Sequence, residues 1–109
     1  MNAHAIRKAA FWSAATAVLV FSLLPAEVET PTTGWDKANH FAGFAVLAVL
    51  GILAYGRRRG GMFAGLLAFG AAIEALQWLS GYRLAEWGDW LADAIGVAAG
   101  HALMAWRRR

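Results

Sequence analysis

Asp36, Glu74, Asp89 and Asp93, with His40 and Gln77, border or interrupt apolar runs long enough to cross a bilayer. An ionised carboxylate at the centre of a membrane helix costs about 2.5–3.5 kcal/mol on insertion scales, so each needs a partner, a proton or a water-filled cavity. Glu74 precedes Gly81 by seven positions, which puts it roughly 10 Å inside the end of its segment. Carboxylates beside an imidazole can exchange protons as general acid and base, hold a cation through hard oxygen and nitrogen donors, or receive a polar headgroup. Nucleophilic catalysis lacks its parts. The chain has no cysteine, and Ser80, between Leu79 and Gly81, forms no nucleophile elbow. With no short ligand motif of the HExxH type, neither a metal nor a cofactor is expected. If there is catalysis, His40, Glu74 and Asp89 are its candidates, but the balance leans towards a non-enzymatic protein.

Helical spacing groups these residues, because positions three and four apart stack on one face. Asp36, His40, Phe44, Leu47 and Gly51 share one stripe, Gly70, Glu74 and Gln77 a second, and Asp89, Asp93, Gly96 and Gly100 a third. The GxxxG of Gly96 and Gly100 lets another helix approach closely, so the acids of that stripe should face protein and not lipid. Packed along these stripes, the helices would gather Asp36, Lys37, His40, Glu74, Gln77, Arg83, Asp89 and Asp93 into a polar, outward-opening ligand pocket. The competing expectation is helix glue, in which Arg83 pairs with Asp89 and His40 with Glu74. His101, in the other half of its segment, is expected to be structural or interfacial.

The elements that position these residues follow from composition. The 109 residues are 60% hydrophobic and 16% charged, against about 25% charged in an average soluble domain. Four apolar segments, at about 8–25, 37–56, 62–80 and 88–106, alternate with basic flanks at Arg7 and Lys8, Arg57 to Arg59, and Arg107 to Arg109. All seven carboxylates fall on the opposite side of this alternation. By the positive-inside rule the chain is an all-α membrane protein, a four-transmembrane-helix bundle of one domain, 1–109, with both termini cytoplasmic. The Arg57 to Arg59 triplet, followed by Gly60 and Gly61, is expected to form a tight hairpin. Pro25 and Pro31 mark an outer connector. Trp35, Trp78, Trp87 and Trp90 fall near the outer boundary, and Trp12 and Trp106 near the inner, as an aromatic belt would. A cleaved signal peptide competes for the first segment, though the run is long for one and no A-x-A site follows Leu24. The net charge of +3 does not point to nucleic acid, because each basic cluster borders an apolar span and serves as its anchor.

In this order and spacing, Asp36-Lys37-x-x-His40-Phe41-x-x-Phe44, then Glu74-x-x-Gln77, then Arg83 followed by Glu86, Asp89, Asp93 and Gly96 resembles the VanZ-like family over the last three segments. The family pattern usually has Asn where this chain has Asp93. The resemblance implies a small, multi-pass bacterial inner-membrane protein of the cell envelope with four helices. The family takes its name from a member associated with resistance to the glycopeptide teicoplanin. It supplies positions, namely Asp36, Lys37, His40, Glu74, Gln77, Arg83 and Asp89, and no reaction. The leading expectation is binding of a lipid or lipid-linked cell-wall headgroup, with Lys37 and Arg83 on phosphate. Membrane lipids and a lipid-linked cell-wall precursor are the expected partners, and a homo-oligomer through Gly96 and Gly100 is a further possibility. An intramembrane enzyme using His40 with the carboxylates, and a proton-coupled carrier using Glu74, are the alternatives.

Overall fold

In a computed structural model of the chain, residues 2–24, 36–56, 59–80 and 87–107 are described, Asp36 and Trp87 by their backbone alone. The described residues contain four helices and no strand: α1 (Ala3–Leu23), α2 (Asp36–Tyr55), α3 (Arg59–Ser80) and α4 (Trp87–Arg107). Their lengths of 20 to 22 residues correspond to about 30 Å each, the thickness of a bilayer core.

Two boundaries differ from the sequence expectation. Helix α1 begins at Ala3, five residues before the predicted start, because the Asn2 side chain caps it by accepting from the Ala5 backbone N–H at 2.8 Å. Arg7 and Lys8 thus lie on the helix, where long cationic side chains can reach the interface while their stems stay apolar. Helix α3 begins at Arg59, so Gly60 and Gly61 are helical and not part of the hairpin.

Many large apolar side chains point outward. Trp78, Leu79 and Trp106 are each more than two-thirds exposed, and Val46, Ile95 and Leu103 about half. Such a surface suits lipid, since soluble monomers rarely expose large contiguous apolar patches. Helices α1, α2 and α3 are each long and apolar enough to cross a membrane. Helix α4 is equally long, but Asp89, Asp93 and His101 make it more polar.

The interior is small and mostly apolar. Phe44, Leu47, Ile73 and Val97 are fully buried, joined by Phe11, Ala15 and Leu66. The most extensive seam joins α2 and α4, although these helices are not consecutive. Small residues allow it: a Cβ at Gly100 would lie 2.6 Å from the Ala48 methyl and 2.7 Å from the Ala45 carbonyl oxygen, and one at Gly96 would collide with the Phe41 carbonyl. The GxxxG stripe is therefore filled by α2 of the same chain. Helix α1 packs on α2 and α3 and does not touch α4. Its Trp12 indole donates to the Tyr55 hydroxyl at 2.8 Å, and the Phe11 ring meets Tyr55 edge-on.

This up-and-down arrangement separates the charges. The N-termini of α2 and α4 and the C-terminus of α3 share the end that holds Lys37, His40, Glu74, Asp89 and Asp93, while Arg7, Lys8, Arg59 and Arg107 lie towards the other. Acids near the N-termini of α2 and α4 are favoured by the helix dipoles.

Candidate functional site

Four residues below the start of α2, His40 turns towards α4, and its Nδ1 lies 2.8 Å from Asp93 Oδ1. Against an ionised Asp93, which only accepts, Nδ1 carries the hydrogen. Both side chains are enclosed, at 8% exposure for His40 and none for Asp93. Room for the second carboxylate oxygen comes from α3, where a Cβ on Gly70 would sit 2.8 Å from Asp93 Oδ2. That oxygen is buried and has no hydrogen-bond partner among the described residues.

One turn nearer the end of the bundle, Asp89 pairs with Lys37 at 3.4 Å. The lysine stem passes over Gly88, whose missing Cβ would stand 3.2 Å from Lys37 Cε. Asp89 is nearly enclosed, at 10%, whereas Lys37 is 39% exposed, so the ammonium lies at the margin of the cluster. Glu74 completes it from α3: one ligand atom each of His40, Glu74 and Asp89 lie within 4.8 Å of one another. Three carboxylates thus converge with one imidazole and one ammonium. The arrangement can hold a cationic group, or move a proton at His40, whose ring orientation is set by Asp93.

Gln77 lies one turn beyond Glu74 and is almost completely buried. Its amide donates to the Ser22 carbonyl at 2.8 Å, one of the last carbonyls of α1, which have no partner within their own helix. Gln77 is thereby a polar tie between α3 and α1. Replacing it with leucine is expected to lower the melting temperature in detergent and to cost about 1 kcal/mol, the typical net worth of one such bond. An unchanged melting curve would show that the tie contributes nothing.

The stripes anticipated from spacing are the buried faces. Phe44, Leu47 and Gly51 on α2, Gly70 and Gln77 on α3, and Asp89, Asp93, Gly96 and Gly100 on α4 all point inward. The Arg83–Asp89 pair anticipated from the sequence lies outside the described residues. Asp93 pairs with His40, and the gap at Gly70 admits its carboxylate beside α3. Lys37 takes Asp89, while Arg83 and Glu86 lie outside the described residues, as does the Asp36 side chain. The Trp90 indole donates to the Leu67 carbonyl at 3.0 Å and ties α4 to α3. Sequence reasoning missed this tie and the Ser22 carbonyl, since a backbone acceptor has no side-chain signature. His101 is structural, with its ring nitrogens 2.9 Å from the Val97 carbonyl and 3.1 Å from the Arg59 carbonyl.

Comparison with curated proteins and with solved structures gave no match. A family model, that of VanZ/LLP1, matches residues 3–108, so it takes in α1 as well as the three helices that carry the polar cluster. Nearly the whole chain is covered, and this protein belongs to the VanZ/LLP1 family.

Proposed function

We propose that this protein lies in the bacterial inner membrane with its basic end cytoplasmic, and that its polar end holds the headgroup of a lipid or lipid-linked cell-wall intermediate. The observation that carries this reading is the convergence of Lys37, His40, Glu74, Asp89 and Asp93 from three helices at one end of an otherwise apolar molecule. All four helices cross the bilayer in this reading, α4 being shielded from lipid on its acidic stripe by α2 and α3.

Around the cluster, Phe41, Leu76 and Leu91 are exposed apolar residues, a surface on which acyl or polyprenyl chains can lie while a headgroup reaches inward. Lys37, at the margin, supplies one contact for phosphate, and Arg83 is the second on the sequence pattern. The buried acids then receive the cationic part of a zwitterionic headgroup. If that headgroup belongs to a cell-wall precursor, altered susceptibility to a glycopeptide such as teicoplanin is the cellular consequence.

Retention of anionic phospholipid and of polyprenyl phosphate by the detergent-purified protein, read by native mass spectrometry, tests this. The wild type is expected to keep such lipids, and a Lys37→Ala, Arg83→Ala double variant to lose them at least about tenfold, as two charge-assisted contacts of roughly 1 kcal/mol or more each imply. Equal retention by both proteins would overturn the reading.

A further inference from the structure

We infer that His40, Glu74 and Asp89 form a site for one divalent first-row cation such as Mn²⁺ or Zn²⁺, with Asp93 holding His40 in the ligating orientation. This site does not depend on the headgroup reading. The geometry comes first: ligand atoms from three different helices already lie within 4.8 Å of one another. Donors about 2.1 Å from a common ion stand at most about 4.2 Å apart, so side-chain rotations of less than an ångström would close the shell. A search for short motifs finds nothing here, because no two ligands come from one helix.

The chemistry of the donors agrees. One imidazole and two carboxylates suit borderline cations better than Ca²⁺ or Mg²⁺, which favour all-oxygen shells. His40 donates Nδ1–H to Asp93 Oδ1, the arrangement by which metal-binding histidines are fixed in one tautomer with the other nitrogen offered to the ion.

A separate observation also points to a cation. Asp93 is fully enclosed, yet its Oδ2 has no hydrogen donor among the described residues. That oxygen lies against Gly70, one turn from Glu74 on the same face of α3. A buried acceptor left without a donor is costly, and a divalent charge one turn away offsets that cost. Lys37, 3.4 Å from Asp89, is the group an arriving cation displaces. Its side chain is 39% exposed, at the margin of the cluster.

The test is a Mn²⁺ titration of the full-length, chelator-treated protein in detergent, with free Mn²⁺ read by electron paramagnetic resonance and Zn²⁺ added as competitor. One saturable ion per chain is expected, with affinity reduced tenfold or more by Glu74→Gln, Asp89→Asn or His40→Gln and unchanged by His101→Gln. Circular dichroism establishes that each variant is folded. Lys37→Ala keeps all the ligands and should bind Mn²⁺ several-fold more tightly, the opposite of its expected effect on lipid phosphate. The site is refuted if the wild type shows no saturable binding, if both carboxylate variants retain it, or if Lys37→Ala binds no more tightly than the wild type. A wild type that binds Mn²⁺ but retains no more lipid than the Lys37→Ala, Arg83→Ala double variant would defeat the headgroup reading alone.

Discussion

Gly96→Leu is expected to separate α2 from α4 and to lower stability by about 3 kcal/mol, the upper end of the usual range for overpacking. A side chain at this position meets the backbone of α2, at the Phe41 carbonyl and, 3.2 Å away, the Ala45 nitrogen. A flexible side chain could move aside, but a hydrogen-bonded helix backbone moves only as a unit. Gly100→Ala, facing Ala48 and Ala45, should be destabilising in the same way, though its obstruction is partly a methyl group. Gly65→Ala is the matched control, because nothing lies within 4 Å of a Cβ there. It should be neutral or stabilising by about 0.5–1 kcal/mol, since alanine is the better helix former. Thermal melting followed by circular dichroism reads all three. A Gly96→Leu protein that melts with the wild type would mean that the α2–α4 seam is not as described. Because the polar cluster spans that seam, this variant should also lose lipid retention and Mn²⁺ binding.

Asp93→Ala carries the second large effect. Removing one member of a buried, hydrogen-bonded pair costs about 3–5 kcal/mol, because the remaining group stays enclosed without a partner. Here the stranded group is His40, at 8% exposure, and the vacated volume lies against Gly70, with no side chain to refill it. Asp93→Asn keeps an oxygen that can accept from His40 Nδ1–H, so its cost should stay near 1 kcal/mol. A double-mutant cycle of Asp93→Ala with His40→Ala separates pairing from simple loss of volume. A coupling of about 1–3 kcal/mol is expected for residues in direct contact, and a coupling near zero would show that the two side chains act independently. The same pair of variants bears on function: Asp93→Asn should preserve the orientation of His40, whereas Asp93→Ala should release it.

The polar cluster was legible in the sequence to an unusual degree, and its internal wiring was not. Helical periodicity alone placed Phe44, Leu47, Gly70, Gln77, Asp89, Asp93, Gly96 and Gly100 on inward faces, and all of them are buried. Such stripes are readable because 3.6-residue spacing is a local property, and because an acid in an apolar helix has few places to go other than against protein. Pairing depends on height along neighbouring helices, which spacing along one helix does not give. His40 and Glu74 looked like partners by depth, and Asp93 reaches His40 beside the gap at Gly70. Trp90 looked like a membrane-belt residue by position and is an interhelical donor to Leu67. Helix α1 starts at Ala3 behind an Asn2 cap, ahead of the basic pair Arg7 and Lys8 that the sequence reading used as its flank.

By itself the sequence determined that the chain is helical and apolar, that basic and acidic groups sit at opposite ends, and which face of each helix is buried. These follow from hydropathy, periodicity and the cost of charge in lipid, all of which act along a single helix. Only the tertiary structure decided that α2 packs chiefly on α4, that the Gly96–Gly100 groove is filled from within the chain, and that His40 chooses Asp93 while Lys37 chooses Asp89. Those outcomes depend on the rotation and vertical register of one helix against another, set by close approach at a few glycines where a Cβ would collide, which residue spacing along the chain does not encode.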